Sequence, residues 1–439
     1  MISAKLPAVK VSTNGNKVFF NQIIAAYTGW IDSRNDPKKA VVFSDGTPLP
    51  SDVLDDLAAY MKENQCAYRW TPGKFVIVDN SVAYHSREVF NGYRKVLASI
   101  GQGTKPVTDN QTHLVLTDGS KMPQVGLGLW KMPKETCAQS VYDAIESGYR
   151  LLDSACDYGN EQQTGEGIKK ALDAGLCKRE DLFVVSKLWN TFHRPEHVEM
   201  ACRKTMADLG VDYLDLYLIH FPIPMQFVPI EELYPPEWKN MDPKYNKGTP
   251  RIIIDEGVTY QQTWEAMEGL VRKGLVKNIG CCNITSAMLR QVLNYSTIKP
   301  AVLQVELHPL LTQEKLVRYA RELGVQVMGF SNLGSASYVE LGGAKETDAL
   351  FLRQDIKDIG AKYGKTGAQI LLRWGVQRGI NVIPKSSKKE RLVENISLFD
   401  FSLTADEMEF ISSLNCGKRF NDPGDFCEGA FGTYNPIYD

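Results

Sequence analysis

The sequence predicts an α/β protein whose main body is a (β/α)8 TIM barrel. Three observations carry that prediction: a count of eight apolar runs from Val125 to Ile383, helical patterns between them, and three of the runs that stop at a polar residue. Consecutive apolar positions suit a strand buried on both faces, as in a parallel sheet covered by helices. Strand and helix alternating at this pitch imply parallel crossovers, and eight strands close a barrel.

The runs are, in order, Val125–Leu129, Leu151-Leu152 stopping at Asp153, Leu182–Ser186 stopping at Lys187, and Leu214–Ile219 stopping at His220. Lys277–Cys281, Ala301–Leu307, Val325–Phe330 and Asn381–Ile383 follow. The stretches Glu161–Ala174 and Pro195–Leu209 carry helical patterns. Ahead of the barrel, His113–Pro123 reads as a hairpin turning at Asp118-Gly119, placed to plug the barrel floor. The barrel ends near Asn395, and a tail from Phe420 to Asp439 is rich in Gly, Pro, Asn and aromatics. Between His220 and Tyr260 lies a proline-rich segment without periodicity. Leaving from a strand end that carries a polar residue, it reads as a wall or lid over the site, or as a tolerated surface insertion.

At 439 residues the chain exceeds a barrel by about a hundred residues. The expected organisation is an N-terminal region over 1–101, a linker over 102–112 and the barrel over 113–439. A net charge of −2 argues against non-specific nucleic-acid binding, so the expected partners are small molecules. The nine cysteines are odd in number and show no redox or metal spacing, which favours a reducing compartment. No apolar stretch approaches membrane-spanning length, and the N-terminus lacks a signal-peptide core. A soluble cytoplasmic protein, monomer or homodimer, is expected. His193 and His197 are spaced like helix metal ligands but have no partner Cys or carboxylate nearby in sequence. They read as chance surface placement, and no metal is expected.

Asp153, Tyr158, Lys187 and His220 fall at successive strand ends, the chemical face of this fold. Reducing a carbonyl needs hydride at carbon and a proton at oxygen. A tyrosine hydroxyl can give that proton, although a pKa of about 10 makes it a slow acid. Lys187, held by Asp153, is expected to lower the pKa of Tyr158. His220, as neutral imidazole, can donate a hydrogen bond to the same oxygen. Taken singly, each residue has a structural explanation; together they read as a hydride-transfer site.

The motifs GYRLLDSACDYGNEQQTGEGI at 148–168, VVSKLWN at 184–190, LDLYLIHFP at 214–222 and IPKSSKKERLVEN at 383–395 make residues 113–439 resemble an aldo-keto reductase. The resemblance implies a catalytic tetrad of Asp153, Tyr158, Lys187 and His220, with Tyr158 as proton donor. HFPIPMQFVPIEELYPPEW and RFNDP further resemble the fungal-type xylose reductases, which implies a sugar site lined by Trp130, Asp157 and Asn421. Phe221, beside His220, is expected to add an aromatic wall; it and Trp130 have rim packing as the alternative. Asp157 also speaks for a polyol or sugar partner on its own account, because burying an unpaired carboxylate in an apolar pocket is costly.

Cofactor binding is expected without a Rossmann fingerprint, and Gly126-Leu127-Gly128 reads as a tight barrel strand. After the eighth run, Lys385, Ser386 and Arg391 suit the 2′-phosphate of NADPH, with NADH the possible alternative. The resemblance implies that Asn283 and Gln304 hold the nicotinamide amide and that Phe330 stacks on its ring. It also places Ser331, Leu333 and Ser335 along the pyrophosphate, and Glu394 and Asn395 at the adenine. Cys282 and Phe330 stand where the family usually has Ser and Tyr; the thiol is the weaker donor, so weakened cofactor binding is expected.

The N-terminal region shows apolar runs at Lys17–Phe20, Ala40–Phe43 and Phe75–Val78, and a helix pattern over Ser51–Lys62 with Ser51 and Asp52 as N-cap candidates. WTPGKFVIVDNSVAYHSREVFNGYRKVLASIG resembles the C-terminal part of taurine dioxygenase-like 2-oxoglutarate-dependent oxygenases, over about residues 20–101. That implies His85 as the second iron His and Arg87 or Arg94 for 2-oxoglutarate, in a partial, mainly β, jelly-roll-like region. An iron site of this type needs two His and a carboxylate. His85 is the first histidine of the chain, so the region reads as a remnant or truncated fusion, inert or oligomerising. The competing readings are a broad aldehyde or steroid reductase, which Asp157 and Asn421 oppose, and a cofactor-sensing subunit, which has no need of an intact tetrad. A bifunctional oxygenase and reductase fails on the missing triad.

Overall fold

The computed structural model describes residues 9–11, 17–19, 24, 27, 42–43, 47–64, 112–238, 252–335, 338–339 and 343–438. The chain divides into two compact units, Met1–Pro106 and Val107–Asp439. In the first, β1 (Val9–Val11) and β2 (Lys17–Phe19) pair antiparallel, Val9 opposite Phe19. Of the run expected at 40–43, residues 42–43 are described, with Val42 bridging Pro48. The helix spans Ser51–Glu63, and its N-cap is Pro50, with no side-chain cap bond. The expectation of a Ser51 or Asp52 cap is corrected: Pro50 already holds the extended conformation that a cap requires, so Ser51 starts the helix. Phe75–Val78, His85, Arg87, Arg94 and the 102–111 part of the expected linker lie outside the described residues.

The second unit opens with the expected hairpin, β3 (His113–Val115) and β4 (Lys121–Pro123). Asp118 closes its turn by accepting from the Ser120 amide at 2.9 Å, with Gly119 in the left-handed region at φ 87°. Leu114, Leu116 and Met122 then pack with Leu151, Phe183, Leu216, Ala301 and Val302, so the hairpin stops the bottom of the barrel.

The barrel strands are β5 (Leu127–Gly128), β6 (Leu151–Asp153), β7 (Phe183–Leu188), β8 (Leu214–Ile219), β9 (Val276–Cys282), β10 (Val302–Glu306), β11 (Gln326–Phe330) and β12 (Asn381–Val382). They neighbour one another in sequence order, every pair parallel. A parallel bridge from Val125 to Val382 joins the two ends of the sheet. The Gly126 amide donates to Val382 O at 2.8 Å and the Val382 amide to Gln124 O at 2.9 Å. Gly128 belongs to this seam, since a Cβ there would lie 2.5 Å from Ile383 O. That fits its reading as a tight barrel strand.

Helices cover the outside, among them Glu161–Asp173 and Pro195–Leu209. Trp189, Trp264 and Trp374 are buried whole, each such side chain stabilising the fold by roughly 1.5–3 kcal/mol. β7 runs to Leu188, one residue past the expected stop at Lys187, so Lys187 lies inside a strand. It stays there because its ammonium is paired in the interior, as described below. The proline-rich segment is stitched at both ends: Met225 bridges Ile254, and Arg194 grips Asp255 at 2.5 and 2.9 Å. Among the described residues no helix is long and apolar enough to cross a membrane, and no cluster of three His, Cys, Asp or Glu can hold a metal.

Candidate active site

Asp153 closes β6, Lys187 stands in β7, and His220 follows β8 directly. Tyr158 is delivered by a 3-10 turn, Cys156–Tyr158, which Gly159 ends at φ 70°. Lys187 is buried outright, and a buried ammonium must be paired. Its Nζ donates to Asp153 Oδ2 at 2.9 Å, to Ser154 O at 2.8 Å and to the Tyr158 hydroxyl at 3.1 Å. The other Asp153 oxygen accepts from Gln304 Nε2 at 2.8 Å. His220 meets the Tyr158 ring edge-on, with centroids 5.9 Å apart. The structure therefore brings all four residues into one cluster.

The charge balance differs from expectation in one respect. Burial first, then the negative charges of Asp153 and Asp157, push the Tyr158 hydroxyl well above its usual pKa. Lowering by Lys187 was expected, but that ammonium is already engaged by Asp153 and a main-chain carbonyl. The phenol thus holds its proton, the form required of a proton donor.

Asp157 turns toward His220, with Oδ1 3.1 Å from Nδ1, at an angle that makes no hydrogen bond; both atoms are buried and unpartnered. Phe221 stacks on His220 at 4.9 Å and is 4 % exposed, so it packs behind the imidazole. Trp238, from the proline-rich segment, packs on Phe221 at 4.8 Å and on Trp189 at 5.0 Å. That segment thereby contributes to the wall behind His220. Trp130 lies across from Tyr338 at 5.6 Å, and the Tyr338 hydroxyl meets Ser331 Oγ at 2.7 Å and Asn421 Nδ2 at 3.4 Å. Asn421 keeps a buried, unpartnered Oδ1.

Of the expected cofactor residues, Asn283 follows β9 at φ 56°, a left-handed conformation that Asn tolerates, and Ser331 follows β11 at φ 55°. Gln304 has spent its Nε2 on Asp153 and Met328 Sδ, leaving Oε1 with only the Cys282 thiol at 3.9 Å. Burial pushes that thiol well above its usual pKa, so it is a neutral, weak donor. Phe330 ends β11 partly exposed, with Leu333 beyond it, and Ser335 Oγ is buried without a partner. Ser386 Oγ bonds main-chain atoms of Lys388 at 3.1 and 3.3 Å. Lys385 and Arg391 are exposed and have no ion pair among the described residues. Asn395 is buried and Glu394 exposed on the helix Lys389–Ile396. Unpaired cations, an orphaned serine hydroxyl and an amide acceptor met only by a weak thiol donor fit a phosphate-bearing nicotinamide cofactor. The surface placement expected for His193 is corrected: it is buried, its pKa pushed down to about 3 by burial, while His197 stacks on Phe227 at 3.6 Å.

Three residues at the site escape sequence reasoning. Asn160 is buried and donates to Leu129 O at 2.9 Å and Met132 O at 3.1 Å, tying the Trp130 turn to the Tyr158 turn. Glu306, buried whole, accepts from the amides of Phe420 and Asn421 at 2.8 and 2.9 Å and from His308 Nε2 at 2.8 Å. It anchors the loop that carries Asn421. Tyr438 reaches Asn283 from the tail. Only Asn160 had a sequence signal, an Asn following the glycine of a motif turn.

Comparison with known proteins finds relatives of both regions. Residues 122–415 match the model of the aldo/keto reductase family, and residues 3–100 match that of the taurine catabolism dioxygenase TauD, TfdA family. The NAD(P)H-dependent D-xylose reductase of Candida tenuis is 50% identical over 313 residues, 71% of this chain and 95% of the relative. The NADPH-dependent aldose reductase of Saccharomyces cerevisiae is 48% identical over 325 residues, 73% of this chain and 98% of the relative. Among solved structures, a Bombyx mori aldo-keto reductase in complex with NADP superposes with a TM-score of 0.62 at 35% identity, covering 72% of this chain and 96% of that one. The aldose reductase of Schistosoma japonicum superposes with a TM-score of 0.62 at 37% identity, covering 70% and 94%. The tetrad lies within the matched span, and the chain belongs to the aldo/keto reductase family.

Proposed function

We propose that residues 113–439 reduce open-chain aldoses, xylose among them, to polyols with NADPH, and that residues 1–101, joined through 102–112, take no part in the chemistry. The observation that carries this reading is the Lys187 ammonium shared between Asp153 at 2.9 Å and the Tyr158 hydroxyl at 3.1 Å. The names of the relatives, D-xylose and aldose reductases, support the substrate class and the cofactor.

A bound NADPH supplies the hydride. Tyr158 gives its proton to the carbonyl oxygen, and Lys187 stabilises the phenolate that forms. No hydrogen-bond partner faces His220 Nε2 among the described residues, which leaves it to orient the carbonyl. Trp130, Asp157, Phe221 and Asn421 make up the sugar site. Phe221 supports His220, while Asp157 and Asn421 offer acceptors to hydroxyls that a simple aldehyde lacks. Asn283 and Gln304 hold the carboxamide, Phe330 stacks on the ring, and Ser331, Leu333 and Ser335 follow the pyrophosphate. Lys385, Ser386 and Arg391 take the 2′-phosphate, with Glu394 and Asn395 at the adenine. NADPH oxidation measured over aldoses and plain aldehydes tests the assignment. Turnover of xylose is expected; no turnover of any aldehyde refutes the reading.

A further inference from the structure

The end of the chain returns to the mouth of the barrel. The Tyr438 hydroxyl donates to Asn283 Oδ1 at 2.9 Å, and the Arg419 guanidinium lies 3.5 Å over the Tyr438 ring. On its other side, the Asn283 amide nitrogen donates to His220 O at 2.9 Å. A main-chain carbonyl only accepts, so the atom facing His220 must be nitrogen and the atom facing Tyr438 must be oxygen. The amide is thereby fixed at both ends, and the second hydrogen on Nδ2 has no partner among the described residues.

We infer that Tyr438 is a positioning residue of the cofactor site: it locks the Asn283 amide so that its remaining hydrogen is presented to the carboxamide oxygen of the nicotinamide. The inference rests on the reading that Asn283 meets that carboxamide. Without the phenol, Asn283 Oδ1 loses its donor and the amide is held by one bond alone. The loss weighs more in this chain because Cys282 is a neutral thiol where a hydroxyl would donate well. Burial raises the Tyr438 phenol above its usual pKa, so it remains a donor at neutral pH. Arg419, stacked on the ring, holds the tail in place.

Full-chain Tyr438→Phe keeps the ring and its cation contact and removes only the hydroxyl. Fluorescence titration of both proteins with NADPH and with 2′,5′-ADP, which carries the phosphate and adenine but no nicotinamide, separates the possibilities. The Kd for NADPH is expected to rise about fivefold, while 2′,5′-ADP binds as before. An unchanged NADPH affinity, or a parallel loss for both probes, overturns the inference. Tighter NADPH binding also overturns it, by making the tail a competitor of the nicotinamide. A wild-type chain that binds neither probe refutes the cofactor reading itself, and the inference falls with it.

Discussion

Nδ1 of His220 lies 3.1 Å from Oδ1 of Asp157, and neither atom has a hydrogen-bond partner. A carboxylate so close to the imidazole has two possible duties: to accept from a sugar hydroxyl, or to hold the ring that orients the carbonyl. Substrates with and without hydroxyls separate them. Asp157→Ala is expected to lower kcat/KM for xylose by about 2 kcal/mol of transition-state binding, the loss of a charge-assisted hydrogen bond. Benzaldehyde, which has no hydroxyl to lose, should be affected far less. Equal losses on both would transfer Asp157 from the sugar site to His220.

The Lys187 ammonium makes a sharper case, because it is buried and three acceptors surround it. Lys187→Met keeps much of the volume but strands the Asp153 carboxylate in the interior. Removing one partner of a buried pair costs about 3–5 kcal/mol of stability. The loss of charge beside Tyr158 should also lower kcat by about 10²–10⁴-fold, the range of general acid catalysis. Thermal unfolding and single-turnover reduction check the two effects separately. A variant that unfolds like the parent and keeps its rate would remove Lys187 from the mechanism.

How much of this was legible from residues alone depends on where each partner lies. The strands were visible because a strand covered on both faces is apolar at every position, and the order of β5 to β12 follows directly. The stop of β7 was misplaced because a lysine looks like an exit to solvent, whereas here Asp153 makes its burial tolerable. The pKa of Tyr158 went the wrong way for a related reason: the adjacent cation is readable from a motif, but burial is a property of the folded site. Glu306 and Tyr438 were invisible because the partners that bring them to the site lie more than a hundred positions away, Asn421 at a separation of 115 and Asn283 at 155. No spacing rule reaches that far.

Lys385 and Arg391 stand exposed and unpaired beyond β12, where a 2′-phosphate would complete them. Arg391→Ala is expected to weaken NADPH binding by about 1.5–3 kcal/mol, a charge-assisted contact, and to leave NADH binding nearly unchanged. Steady-state KM values for the two cofactors measure the difference. A comparable rise in both KM values would mean that Arg391 acts on the fold of this loop and not on the phosphate.

Glu161 supplies a pH test that does not involve turnover. It is buried at the start of the helix Glu161–Asp173, where Ser186 of β7 donates to it at 2.6 Å and Thr205 of the helix Pro195–Leu209 at 3.1 Å. Burial pushes its pKa up to about 8, the two hydroxyls offsetting only part of that. A carboxyl whose folded pKa is raised contributes its full stability below its unfolded value of 4.5 and loses it as pH climbs through about 8. The loss over that window is on the order of a few kcal/mol. Glu161→Gln preserves the shape and has no proton to lose, so its thermal midpoint should gain on the parent steadily from about pH 5 to pH 8. Parallel pH profiles for the two proteins would show that Glu161 is ionised in the folded state, and that a cation reaches it where the structure places only hydroxyls.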